Sequence, residues 1–281
     1  MGQNGKLSTC TFVPVQIGFE MDTEYYIEKS VNYCSKLNHS VLYFQFKMNR
    51  DSDIIRVLPD GCVDILFGCD PLRPYSHVCG SVLQTRQIHF QAGTTYFGVR
   101  FLPESGINRK LSLKEALETE IPLMDLVKGK LGIYEDILRH DEFQLRIHYF
   151  EKYLLGTLLD VYQSPNLIDY CINQIYHSKG NITINQLADA TGYSTRYIRI
   201  KFEDTLGISP KMFTQIIRFQ HSLIMMLKHN LEPFEVIDEQ GYYDQSHLIK
   251  EFKKFSKYTP VEIKAKWDQF TLDSERMTVS V

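Results

Sequence analysis

The sequence predicts an α+β protein whose N-terminal half is β-rich and whose C-terminal half is all-α. Three observations carry this reading. Short runs of aromatic and β-branched residues between turn signals fill residues 41–101. Apolar residues at helical spacing fill 143–161 and again 167–267. The second of these helical stretches is also duplicated within itself.

The chain has 281 residues, which at roughly 150 per domain suggests two domains, each able to bury a core. Hydrophobic residues are 43% and charged residues 23%, so a disordered or collagen-like chain is excluded. The longest apolar run, Leu223–Leu227, is far short of the ~18 residues of a membrane helix, and Met1–Lys6 leads into no secretory segment. Cys10, Cys34, Cys62, Cys69, Cys79 and Cys171 form no CxxC pair, so free thiols in a reducing, cytoplasmic setting are expected. The formal net charge of -3 excludes a strongly basic chain, and residues 169–268 hold 13 basic against 12 acidic residues. The charge signal is local: Ser194–Phe202 and Gln245–Lys257 each carry an excess of three positive charges.

In the N-terminal half, Val41–Phe46, Ile54–Val57, Cys62–Phe67 and Thr94–Phe101 read as strands. Pro59-Asp60-Gly61 reads as a tight hairpin turn, because Asp-Gly tolerates positive φ. An antiparallel sheet or open barrel follows. After Pro103 the spacing of Phe143, Ile147, Phe150, Leu154, Leu158 and Val161 predicts one long amphipathic helix, read as core more than as a dimer seam. Gln163-Ser164-Pro165-Asn166 interrupts the pattern and marks the boundary, giving domains over 1–165 and 168–267 and a tail over 268–281.

The helical half begins with a stripe of Ile168, Ile172 and Ile175, stopped at Gly180-Asn181. Thr183 and Gln186 then form a capping-box pattern. The repeat follows. Leu187-Ala188 and Gly192-Tyr193 match Val236-Ile237 and Gly241-Tyr242 at an offset of 49, while Phe202, Ser209-Pro210 and Phe213 match Phe252, Thr259-Pro260 and Ile263 at 50. Each copy reads as helix, glycine turn, helix, then a Ser/Thr-Pro helix start. Ala188 lets two helices approach, Gly192 permits the sharp turn, and Ile198 anchors the second helix to the first. That is helix-turn-helix arithmetic, and an ordinary helical hairpin is the bland alternative. Lys211–Asn230 reads as a helix joining the two units, long enough at about 1.5 Å per residue to hold them roughly 30 Å apart.

On these motifs residues 168–267 resemble the DNA-binding domain of the AraC/XylS family of transcription regulators. The carriers are Leu187-Ala188-x3-Gly192-Tyr193-Ser194, Phe202-x4-Gly207-Ile208-Ser209-Pro210-x2-Phe213 and Gly241-Tyr242-x9-Phe252-Lys253-Lys254-x4-Thr259-Pro260. Departures are Glu203-Asp204 where basic residues are usual, Lys257 in place of the usual glycine, and Ile263-Lys264 in place of Tyr-Arg. The resemblance implies a sequence-specific regulator that binds promoter DNA with two recognition helices, without catalysis or cofactor. It places base reading on Arg196 and Arg199, and arginine suits this because it donates two parallel bonds to guanine. A solvated surface pair is the plainer reading of those two residues. Ile200 either touches a thymine methyl or packs. Thr195, Tyr197 and Lys201 suit phosphate contacts. In the second unit Gln245 suits adenine, Ser246, His247 and Lys250 are less selective readers, and Lys253, Lys254 and Lys257 suit phosphates or simple solubility. Tyr193 and Tyr242 resemble core positions.

Val57–Asp64 and Gly98–Pro103 resemble the β-rich sensor domain that precedes the DNA-binding domain in some AraC-like regulators, which implies ligand sensing or dimerisation. A small-molecule effector, RNA polymerase and a second copy of the chain are open partners; a membrane is not. His77, Cys79 and His89 lack metal-site spacing, so no metal is expected. Asp60 is read as a turn residue and Asp64 as a satisfied strand contact, not as an acid-base pair. The rival classes are a small-molecule-processing or metal-dependent β-domain enzyme with a DNA-binding appendage, and an adaptor whose helical half binds protein.

Overall fold

The computed structural model of the chain describes residues 12–33, 40–103, 113–126, 132–155, 158 and 166–279. Cys10, Cys34, Val161 and the interruption at 163–165 lie outside them. No helix among the described residues is long and apolar enough to cross a membrane.

A short helix α1 (Ile17–Met21) precedes the strands β1 (Thr23–Asn32), β2 (Ser40–Met48), β3 (Ile54–Val57), β4 (Val63–Gly68), β5 (Tyr75–Cys79), β6 (Arg86–His89), β7 (Thr95–Phe101) and β8 (Glu120–Pro122). Six of them form one antiparallel sheet in the order β1-β2-β7-β4-β5-β8. The helices α2 (Leu113–Ala116), α3 (Leu123–Leu126), α4 (Gly132–Arg139) and α5 (Phe143–Phe150) complete this half. Strand alternation sends Val41, Tyr43, Phe97 and Val99 to one face, where Ile133, Ile137, Ile147 and Phe150 cover them. Phe44, Phe46 and Met48 take the other face, beneath Phe19, Ile55 and Phe90. Gly98 faces Phe44 across the β2–β7 ladder, and a Cβ there would sit 2.1 Å from the Phe44 ring. The glycine makes room for the aromatic.

One expectation is corrected here. Pro59-Asp60-Gly61 does not close a hairpin, because β3 pairs with β6 in a separate two-stranded sheet. Gly61 does adopt φ +78°, and Asp60 Oδ1 accepts from Cys62 N at 2.9 Å, so the local turn is as read while the strand partner is not. Asp60 also accepts from Gln16 and lies 3.5 Å from the buried Arg100, which Asp64 binds through both carboxylate oxygens. The long helix expected over Phe143–Val161 starts as α5 and continues directly as a π-helical segment, Glu151–Leu155, with Leu158 helical again.

The C-terminal half contains α6 (Leu167–His177), α7 (Ile184–Thr191), α8 (Thr195–Leu206), α9 (Pro210–Leu227), α10 (Pro233–Glu239), α11 (Gln245–Ser256) and α12 (Pro260–Val279). The last helix runs past Trp267, so the expected tail is largely helical. The core of this half also takes in Phe12, Val15, Ile17 and Leu58 from the start of the chain. Phe12 stacks on Tyr176 at 5.0 Å. The buried amide of Gln220 accepts from Val15 N at 2.9 Å and donates to Pro59 O at 2.8 Å, while Thr85 N donates to Phe255 O at 2.9 Å. A boundary at 165 therefore does not separate two cores. An apolar residue in sequence shows that it needs a core without showing which one.

Candidate nucleic-acid interface

Local chemistry builds each half of the repeat. Thr183 and Gln186 cap α7 reciprocally, and Gly192 ends it at φ +73°. Ser194 Oγ accepts from Tyr197 N to start α8, which buries Ile198, Phe202 and Leu206 and ends at Gly207 with φ +76°. Fifty residues on, Asp244 Oδ1 accepts from His247 N to start α11, which buries Leu248, Phe252 and Phe255. Lys257 closes it at φ +67°. The lysine that replaces the usual glycine thus takes the same left-handed conformation as Gly207. Ser209 and Thr259 cap the helices that follow, each with proline in the first turn.

Both second helices present an open polar face. On α8, Arg196, Tyr197, Arg199, Ile200 and Lys201 are exposed and Thr195 is half-buried. On α11, Gln245, Ser246, Lys250 and Lys253 are exposed. Two predicted contacts are engaged elsewhere. His247 is half-buried, edge-on to Tyr242, with Nε2 3.5 Å from Arg218. Lys254 Nζ donates to Gln215 Oε1 at 2.9 Å and lies over the Phe255 ring. Burial pulls its ammonium pKa down; Glu251 opposes this, and the Lys211 and Arg218 charges add to it. Lys257 Nζ donates to Gln84, a residue of the β-rich half. Tyr242 is a core residue at 5% exposure. Tyr193, read as its counterpart, is not: it is 48% exposed and stacks on Tyr197 at 5.1 Å. Ile200, at 42% exposure, does not pack inside.

Sequence reasoning missed the group that fixes α11 to α9. Arg218 forms an ion pair with the buried Glu251, donating Nε to Oε1 at 3.0 Å and Nη2 to Oε2. Tyr242 Oη donates to the same Oε1 at 2.7 Å, and its ring lies under the Arg218 guanidinium at 5.0 Å. The partners are 33 residues apart on different helices, so no helical spacing reveals them. The 18 residues of α9 span about 27 Å, roughly three quarters of one turn of the double helix.

A family profile described as a helix-turn-helix domain matches residues 187–266, the same stretch that holds these two units. The C-terminal domain is a helix-turn-helix domain of the AraC type. The chain is 25% identical over 114 residues to an uncharacterized HTH-type transcriptional regulator, YbfI, of Bacillus subtilis, covering 41% of this chain and 40% of YbfI. It is 27% identical over 155 residues to an uncharacterized HTH-type transcriptional regulator of Haemophilus influenzae, covering 54% and 49%. The aligned stretches thus span half or less of these curated relatives. Residues 34–109 match a domain of unknown function, DUF6597. Among solved structures, apo ToxT of Vibrio cholerae aligns over 88% of this chain and 96% of its own at 11% identity and a TM-score of 0.43. ToxT with a bound unsaturated fatty acid aligns at 13% identity and a TM-score of 0.37, over 86% of this chain and 96% of its own.

Proposed function

We propose that the protein is a sequence-specific, double-stranded-DNA-binding transcription regulator that inserts α8 and α11 into successive major grooves. The observation that carries this reading is the exposure of Arg196 and Arg199 on a helix whose opposite face is fully buried. Such a helix is rigidly mounted, and its guanidinium groups are free to donate bidentate bonds to guanine O6 and N7. The second helix reads more weakly, through Gln245, Ser246 and Lys250, because His247 and Lys254 are held against α9. Thr195, Tyr197, Lys201 and Lys253 contact phosphates. The β-rich half is proposed to sense a small-molecule effector. The space between its two sheets beside Arg100, about 40 Å³, admits a water or two, so an effector enters that space only by displacing side chains such as Phe19 or Phe90.

Genomic footprinting tests the DNA assignment. Arg196→Ala and Arg199→Ala are each expected to lower operator affinity by about 1–3 kcal/mol and relax preference at one base pair, without altering the melt. Unchanged footprints for both variants overturn it.

A further inference from the structure

A cleft of about 530 Å³ lies between the two helix-turn-helix units. Its floor is one stripe of the linker helix: Lys211, Thr214, Gln215 and Arg218. One wall is the Gly180–Ile184 segment that leads into α7, and Gly241 of the second unit's turn closes the other side. The wall is docked hard against the floor. A Cβ at Gly180, which sits at φ +80°, would lie 2.4 Å from Thr214 O and 2.6 Å from Arg218 N. At the far side Asn181 Oδ1 would be 3.4 Å from a Cβ on Gly241. The cleft is therefore built by glycine contacts and is not a gap between loosely associated units.

Its charge is one-sided. Lys211 is exposed along the floor, Lys254 reaches Gln215 of the floor from α11, and Arg218 completes the group. The one carboxylate bonded to this group, Glu251, is buried and already bound by Arg218 and Tyr242. Among the described residues neither Lys211 nor Lys254 forms an ion pair of its own. Lys254 donates only to Gln215 and weakly to Met212 sulfur, leaving hydrogens to spare. Burial first, and after it the nearby Lys211 and Arg218 charges, lower the Lys254 pKa against the pull of Glu251, and an anion seated beside both lysines would relieve the repulsion between them.

Position selects the anion. In a helix-turn-helix unit the first helix crosses the nucleic-acid backbone while the second lies in the major groove. Here α7 is that first helix, and its start forms the cleft wall. Strands running from the groove occupied by α8 to the groove occupied by α11 would pass over the linker. We propose that this cleft is a phosphate site, in which Lys211 and Lys254 receive phosphate from the DNA backbone between the two engaged grooves. The linker helix is then a contact surface as well as a spacer. This rests on the DNA-binding reading above, and a free phosphorylated compound is the other source of the same chemistry.

The test uses the full chain and a labelled duplex of arbitrary sequence about three helical turns long, with anisotropy followed over a salt series. Each lost phosphate contact lowers the slope of log K against log salt by about 0.9, which at 0.1 M salt is roughly eightfold in affinity. Lys211→Ala is expected to lower the slope by about 0.9 and Lys211→Ala with Lys254→Ala by about 1.8, while Lys211→Arg retains it. Lys211 is exposed, so its single variant keeps the test sound if the double variant melts early. In a parallel arm, inorganic pyrophosphate is added to the parent and to Lys211→Ala while the melt is recorded. An unchanged slope, together with a pyrophosphate shift in the parent that the variant lacks, upholds the phosphate site and transfers its source to a small molecule. An unchanged slope with no such shift overturns the proposal. If the parent binds no duplex at all, the functional reading fails, and the pyrophosphate arm alone decides the cleft.

Discussion

Replacing Glu251 by glutamine tests how the second recognition helix is held. The substitution keeps shape but removes the charge, so Arg218 loses its counter-ion and its Nη2 faces an amide donor where it met Oε2. Removing one partner of a buried ion pair costs about 3–5 kcal/mol, because the remaining charge stays desolvated. The Glu251 side chain is 3% exposed and that of Arg218 15%, at the edge of the cleft, so the guanidinium regains some water and the expected cost is about 3 kcal/mol. For a chain of this size that lowers Tm by roughly 6–12 °C. Thermal unfolding followed by circular dichroism reads it directly. The triple replacement Arg218→Met, Glu251→Leu and Tyr242→Phe removes the ion pair and the phenol bonded to it, leaves Ser222 its bond to Arg218 O, and is expected to recover most of the loss, since apolar replacements of buried pairs are often neutral. If Glu251→Gln melts with the parent, or the triple variant melts below the single one, the cluster does not lock α11 to α9 in the way argued.

Two further outcomes follow from the same structure. Gly192 and Gly180 share a left-handed backbone, but a Cβ at Gly192 meets nothing within 4 Å while one at Gly180 strikes the linker backbone. Gly192→Ala should therefore cost only the conformational strain of about 1–2 kcal/mol and Gly180→Ala several times more, read as midpoints in urea; equal midpoints would contradict the docking of the 180 segment. His221 is packed on Phe12, and burial, helped by the Lys179 charge, holds its pKa down to about 4 from 6.5. The unfolded chain binds this proton more readily, so the contribution is complete above pH 6.5 and is lost progressively towards pH 4. His221→Phe should flatten the fall of Tm across that window, and an unaltered pH profile would remove His221 as its source.

Features that depend on near neighbours are legible in the chain itself. Capping residues at Thr183, Ser194, Ser209 and Thr259, the left-handed turn at Gly192, and the buried face of Ile198 and Phe202 are all set within one or two helical turns. Duplication of that local code fifty residues later made the helical half, its helix-turn-helix units and the exposed arginines legible. Three-dimensional packing alone decided which distant groups meet. It paired β3 with β6, placed Phe12 and Val15 in the helical core, and brought Arg218 to Glu251. It also set His247 and Lys254 against the linker helix, with Lys254 at the cleft beside it, and left Tyr193 on the surface. The reason is that capping, turn strain and helical periodicity act between residues close in the chain, whereas ion pairing and core membership act between residues close in space. The charge and polarity of a side chain fix what it needs; only the assembled fold fixes which partner supplies it.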